Sequence, residues 1–314
     1  MKKFLIPVIL VLIFGLSSIG LAEYHIYFVS HGGPSDPFWV TVIKGVNEAA
    51  SQFGVKVTYL APTVYSLNTF LNDLDNAISA KPDGLIVTMI DATAETAPLD
   101  RAIAEGIPVI AVNVPDPRPA PKAVPYLLYI GDSEYLAGQT AARYALSQFK
   151  IVRAVVASHE ITNEGLLMRT AGIEDILGQY HIPCAVLNIT TNPITAESVL
   201  EAYLKSHPDT NMIFTLGPLG TSPAVQVVKN MGLENKVKIG GFDLTDQLLN
   251  WVKDGTILYT IDQQQYLQGY LSVEFMYFYL KHDLIPVGSV LTGPFVITKA
   301  NVDKVEQSVK DGFR

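Results

Sequence analysis

Short, nearly continuous apolar runs alternate along the chain with longer stretches in which apolar residues recur at helical spacing. The runs Tyr24–Ser30, Val55–Leu60, Gly84–Met89, Ile107–Asn113 and Leu127–Gly131 predict strands. Phe38–Phe53, Ser66–Ala80 and Thr96–Glu105 predict the helices between them. The alternation resumes with strands at Ile151–Ala157, Cys184–Ile189, Met212–Leu216, Lys238–Gly241 and Ile257–Ile261. Its helices fall near Glu134–Phe149, Gly165–Tyr180, Ala196–Ser206, Pro223–Met231 and Thr245–Lys253. Apolar strands separated by helices imply parallel sheets covered on both faces, because a strand buried on both sides cannot alternate with polar residues. Two such series predict an α/β protein of two doubly wound lobes. Gly54, Gly106 and Gly232 each close a helical pattern before the next strand. The stretch Pro115–Pro125 holds five of the 19 prolines and no periodicity, so it reads as an exposed loop.

In open parallel sheets, ligands bind beyond the carboxyl ends of the strands, where strand order reverses. Two lobes facing each other across such edges create a cleft. The stretches to inspect are therefore Ser30–Trp39, Asn113, Gly217–Ser222, Phe242-Asp243 and Asp262-Gln263.

The N-terminus changes the picture of where the chain resides. Lys2 and Lys3 precede an apolar run from Phe4 to Leu16, and the stretch Ser17–Ala22 supplies a small-residue exit. This is the layout of a secretory signal peptide, with cleavage expected after Ala22. The alternative is a retained anchor, but the run is shorter than the roughly 20 residues of a spanning helix and contains Pro7. No cysteine lies near the cleavage point, which excludes lipid attachment there. The expected location is the periplasm.

Length and charge narrow the function classes. At 314 residues and 49% apolar composition, a sizeable core is available. Lys and Arg total 22 against 30 Asp and Glu, a net charge of −8, so a polyanion-binding surface is disfavoured. The lone Cys184 rules out an intramolecular disulfide and multi-cysteine metal sites, and its apolar surroundings favour an inert thiol. No glycine fingerprint for a dinucleotide follows the first strand, no P-loop lysine follows a glycine loop, and no Gly-x-Ser-x-Gly elbow exists. His159-Glu160 begins like a zinc helix motif, but position 163 is asparagine and the six histidines are scattered. Neither a metal, a cofactor nor a catalytic group is expected.

The cleft edges carry aromatic, carboxylate, amide and guanidinium groups instead. Asp36-Pro37-Phe38-Trp39 opens a helix with Asp36 at a plausible cap and Pro37 at the first helical position. Phe38 and Trp39 either fill core or present flat apolar faces to the C–H face of a sugar ring, and two aromatics in a row cannot both point inward on a helix. Arg169 offers a fork of donors that spans two adjacent hydroxyls, or else forms an ordinary ion pair. Asp243 and Gln263 each follow a strand end, where a carboxylate accepts and an amide both donates and accepts. Asn113 and Asp132 complete the candidate set at two further strand ends.

These residues and their order resemble the periplasmic sugar-binding proteins of ABC importers, in the ribose-binding-like group that shares its fold with LacI-type repressor cores. The carriers are Asp36-Pro37-Phe38-Trp39, Pro82–Val87, Ala104–Ile110, Tyr129–Asp132, His207-Pro208-Asp209, Gly241-Phe242-Asp243 and Thr260–Gln263, spread from Tyr24 to about Val305. The resemblance implies that Asp36, Phe38 and Trp39 hold the sugar ring, that Arg169 is the second-lobe arginine, and that Asp243 and Gln263 belong to the hinge side. It implies strand crossovers near Gly131-Asp132, Gln263-Gln264 and Gly293. The chain then divides into a signal peptide (1–22), a first lobe (23–131 plus 264–293) and a second lobe (132–263 plus 294–314). The implied function is hinged capture of a small neutral sugar, hexose, pentose or polyol, by a monomer that delivers it to an ABC permease. A receptor signalling to a chemotaxis or sensor protein is the alternative.

Departures from the ribose binders bear on the ligand. An Asp-Arg pair after the fourth strand is replaced by Asn113-Val114, and an Asn-Asp in the second lobe by Gly217-Pro218. Asn188–Thr195 lacks an aromatic to close over the ring from the other side. A ring other than ribose is expected.

Overall fold

The computed structural model describes residues 24–314, so the export segment expected at 1–22 lies outside the described residues. The first series is β1 (His25–Val29), α1 (Pro37–Phe53), β2 (Lys56–Leu60), α2 (Leu67–Ser79), β3 (Gly84–Val87), α3 (Ala92–Ala104), β4 (Val109–Val112) and β5 (Leu128–Asp132). The second is α4 (Glu134–Gln148), β6 (Ala154–Ser158), α5 (Glu164–Gln179), β7 (Cys184–Asn188), α6 (Pro193–Ser206), β8 (Met212–Thr215), α7 (Pro218–Asn230), β9 (Lys238–Phe242), α8 (Asp246–Asp254) and β10 (Tyr259–Asp262). A final run adds α9 (Gln265–His282), β11 (Val290–Gly293), β12 (Phe295–Ile297) and α10 (Asp303–Lys310).

Two six-stranded sheets result, ordered β11-β5-β4-β3-β1-β2 and β12-β10-β9-β8-β6-β7. All neighbours pair in parallel except β12, which runs antiparallel to β10. The α/β two-lobe architecture expected from the alternation is the one observed. Strand order reverses beside β1 in one sheet and beside β6 in the other, the places where such sheets leave a crevice at their carboxyl edges. The polypeptide passes between the sheets after β5, after β10 and between β11 and β12.

Each lobe is consolidated by one pair of helices in backbone contact. A Cβ on Gly45 of α1 would lie 2.3 Å from Tyr266 O, and one on Gly269 of α9 would lie 2.1 Å from Val42 O. In the second lobe, Gly138 of α4 and Gly172 of α5 play the same parts, with approaches of 1.9 Å to Arg169 O and 2.1 Å to Tyr135 O. Any larger residue at these four points forces the helices apart. The second pair also fixes the backbone that carries Arg169.

The last run of elements had no apolar stripe to announce it. α9 turns Gln265, Gln268 and Ser272 inward, all fully buried, so polar residues occupy the face that periodicity expects to be apolar. Gln268 ties the crossovers together: its Nε2 lies 3.3 Å from Gln263 O and 3.2 Å from Thr292 Oγ1, and its Oε1 accepts from Asn113 Nδ2 at 3.2 Å. Three predicted starts also move: α3 begins at Ala92, capped by Asp91, α6 at Pro193, capped by Asn192, and α7 at Pro218, with Pro223 inside it. The proline-rich loop is anchored rather than free, because the buried Asp116 carboxylate accepts from Arg118 and from Val124 N. Cys184 lies in β7 with its pKa pushed up to about 12, first by burial.

The segment after α10 leaves the second lobe and crosses to the first. Lys44 donates to Asp311 O and sits 3.8 Å above the Phe313 ring, which meets Tyr266 edge-on at 4.8 Å. Arg314 reaches the buried carboxylate of Asp262, at the second crossover.

Candidate functional site

The carboxyl ends of β1, β4, β6, β8, β9 and β10 converge on one cavity between the lobes. Its lining includes His31, Asp36, Phe38, Trp39, Asn113, Glu134, His159, Glu160, Asn163, Arg169, Gly217, Asp243 and Gln263. The space among these side chains, mouth included, is about 410 Å³.

The first-lobe wall is set by the start of α1. Asp36 caps the helix, its Oδ1 accepting from Phe38 N at 3.0 Å, and Pro37 needs no partner for a missing N–H. Phe38 and Trp39 are both buried, and their rings meet at 75° with centroids 5.0 Å apart. Both therefore line the cavity while packing in the core, because the cavity itself lies within the buried interior. Trp39 also meets the His31 ring edge-on at 5.0 Å. Burial raises the Asp36 pKa to about 6. Asn113 adopts the left-handed backbone conformation, φ 64°, at the end of β4, an excursion that asparagine tolerates better than branched residues.

The second-lobe wall is a network of buried ionisable groups. Arg169 places Nε 2.7 Å and Nη2 2.5 Å from Glu134 Oε2, donates from Nη1 to Leu216 O at 2.6 Å, and lies over the Phe242 ring at 4.1 Å. Burial opposes its charge, but Glu134, Asp243 and Asp132 outweigh that effect and raise its pKa. Much of the donor fork expected for a ligand is thus already engaged. Asp243 Oδ1 accepts from Gln263 Nε2 at 2.6 Å, and burial, opposed by Arg169, lifts the Asp243 pKa to about 8. Asn163 caps α5 through Oδ1 and donates from Nδ2 to Glu160 Oε2 at 2.8 Å. Burial raises Glu160 to about 8 and lowers His31 and His159 to about 3, so the imidazoles are neutral at ordinary pH.

Four contacts hold the lobes together over the cavity. His31 Nε2 lies 3.2 Å from Asn163 Nδ2 and 3.6 Å from Glu160 Oε2. The Tyr65 and Thr162 hydroxyls are 3.1 Å apart, and Glu164 N donates to Ile90 O at 3.1 Å. The lobes are in a closed arrangement.

Of the eight residues singled out from sequence, seven line this cavity: Asp36, Phe38, Trp39, Asn113, Arg169, Asp243 and Gln263. Asp132 does not. β5 runs through Asp132, so its side chain stays within the crossover region, where a Cβ on Gly293 would lie 3.2 Å from its Oδ1. Both its carboxylate oxygens are buried without a partner among the described residues, and burial, then Glu134, raise its pKa to about 8. Sequence reasoning missed His31, Glu134, His159, Glu160 and Asn163. The signal is in the sequence: all five follow strand ends, and His159-Glu160 has a role there apart from its likeness to a metal motif.

A family model described as a periplasmic binding protein domain matches residues 26–283. The chain is 29% identical to the xylose/arabinose-binding protein XylF of Sulfolobus acidocaldarius over 294 residues, covering 89% of this chain and 72% of that protein. Its fold is similar to a solved ABC sugar transporter component, a periplasmic sugar-binding protein, from Legionella pneumophila (TM-score 0.80, 29% identity, 86% of this chain and 100% of that one). It is also similar to a carbohydrate transporter of Acidothermus cellulolyticus solved with myo-inositol (TM-score 0.84, 28% identity, 93% of this chain and 100% of that one). With the two sheets, their crossovers and the matched span in agreement, this chain belongs to the periplasmic binding protein domain family.

Proposed function

We propose that the protein is a non-enzymatic, extracytoplasmic solute receptor that closes on a neutral monosaccharide or polyol and presents it to an ABC permease. The observation that carries this reading is the cavity at the facing strand ends of both lobes, walled by Phe38 and Trp39 on one side and by hydrogen-bonding groups on the other. Aromatic faces cover the C–H surface of a sugar ring, while Asp36, Asp243 and Gln263 serve hydroxyls as acceptors. The sugars named for the relatives above support the same class. The proposed lobes are 23–131 plus 264–293 and 132–263 plus 294–314, with the crossovers absorbing the hinge rotation.

Only the closed form offers both walls at once, so ligand draws the population toward it. A neutral ligand gives no long-range attraction. Several desolvated hydrogen bonds of roughly 0.5–1.5 kcal/mol each, with aromatic burial, suffice for the roughly −8 kcal/mol of a micromolar binder. The closed surface is then what the permease recognises.

The test is a thermal-shift screen of the purified chain against pentoses, hexoses, myo-inositol, sugar acids and amino acids. At least one neutral sugar or polyol is expected to raise the melting temperature. Stabilisation by charged solutes alone overturns the reading.

A further inference from the structure

We infer that His159 is a specificity-determining residue, whose ring, with the Gln263 amide, demands a particular hydroxyl pattern of the ligand. This rests on the solute-receptor reading above and specifies what the cavity selects.

Most polar atoms of the lining already have protein partners. The His31 nitrogens face Thr88 and Asn163, Arg169 is engaged by Glu134 and Leu216, and Asn163 both caps α5 and serves Glu160. Two buried side-chain atoms of the lining have none among the described residues: His159 Nδ1 and Gln263 Oε1. A buried polar atom without a partner is costly to the unliganded protein, and a ligand group placed against it offsets that cost.

The chemistry each atom requires is fixed by its neighbours. Gln263 Nε2 is committed to Asp243 Oδ1 at 2.6 Å, so the amide is oriented and its oxygen can only accept. His159 is 8% exposed and neutral, so Nδ1 either donates or accepts according to the tautomer the ligand favours. A ligand must therefore bring a donor to Gln263, which a hydroxyl does and a carboxylate or carbonyl does not.

Gly217 supplies independent support. Its backbone is extended, φ 171° and ψ 174°, a conformation open to any residue, so no dihedral constraint calls for glycine. What a side chain there would meet is the imidazole: a Cβ would lie 2.9 Å from His159 Cε1 and 3.4 Å from Nε2. The missing side chain leaves the ring its place against the β8 end.

Sites that hydrogen-bond a ligand hydroxyl reject the analogue lacking it far more strongly than apolar pockets reject a missing methylene, because their own groups are left unpaired. The experiment uses the full chain, with D-xylose, D-arabinose, myo-inositol and their monodeoxy derivatives as calorimetric probes. Wild type is expected to discriminate against one deoxy derivative by about 100-fold or more. In His159→Phe the parent sugar should bind at least tenfold more weakly, and the discrimination should collapse below tenfold. Gly217→Ala, which keeps the imidazole but displaces it, should move both quantities in the same direction. Deoxy ratios unchanged in His159→Phe overturn the inference.

A second readout needs no sugar. Replacing the unpartnered ring by an apolar one should raise the melting temperature of the unliganded protein by about 2–4 °C in His159→Phe or the smaller His159→Leu. A fall in both variants overturns the inference. If no probe binds wild type, it is the sugar reading that fails, and the melting comparison still decides the status of His159.

Discussion

The two walls of the cavity are built on different principles. The first-lobe wall is a single local motif: four consecutive residues, Asp36 to Trp39, cap a helix, start it and supply two packed rings. The second-lobe wall is assembled from residues 134 to 263 in sequence, joined by a buried ion pair and hydrogen bonds. Shape dominates one wall and electrostatic demand the other. The contrast teaches that the first wall tolerates change as a packing surface does, whereas the second fails when a single partner is lost.

Arg169→Met should break that contrast most severely. It strands the Glu134 carboxylate in the interior, and breaking a buried pair typically costs about 3–5 kcal/mol. Urea denaturation measures it; a loss below about 1 kcal/mol would mean that Glu134 finds water or another donor. Asp243→Ala comes next, with at least a tenfold loss of sugar affinity, about 1.4 kcal/mol, and an unchanged circular dichroism spectrum. Unaltered affinity in calorimetry removes Asp243 from the site.

The third prediction concerns pH. Glu160 and Asp243 hold protons in the folded protein up to about pH 8, whereas the unfolded chain releases them near pH 4. Their contribution to stability is present at low pH and is lost as pH rises through 8. His31 and His159 act oppositely: kept neutral down to about pH 3, they cost stability as pH falls below about 6.5. Between pH 6.5 and 8 the slope therefore belongs to the carboxyls. The melting temperature should fall across that window, and Glu160→Gln should flatten the fall; an identical slope in the variant would show that Glu160 is already ionised. The smallest effect is expected for Tyr65→Phe, which removes the Thr162 contact at the rim and should weaken sugar binding by less than about tenfold.

The same contrast explains what could be read in advance. Ten strands and eight helices, with some shifted ends, follow from periodicity, because strands such as β3 and β4 are buried on both faces and read as unbroken apolar runs. Asp36, Phe38 and Trp39 are adjacent, so their joint role is visible in the text itself. α9 was invisible because its inner face carries the buried polar residues Gln265, Gln268 and Ser272, and the partners of Gln268, Asn113 and Thr292, lie on other elements. Glu134 and His159 do follow strand ends, but their partners are hidden for a similar reason. Nothing near them in sequence reveals that Arg169 or Gly217 will stand opposite, since those neighbours exist only once the sheets have formed.

The crossing of Asp311–Arg314 from one lobe to the other has a mechanical consequence. Arg314 grips Asp262, which is part of the second crossover itself, so this ion pair sits close to the line about which closure would turn. Points near a pivot travel little, whereas Tyr65 and Thr162, at the end of a long lever arm, must separate fully. Clamping the pivot while leaving the rim free resists sliding of one half past the other and permits rotation, so the same few residues that look like a brake on motion select the single direction in which motion stays cheap.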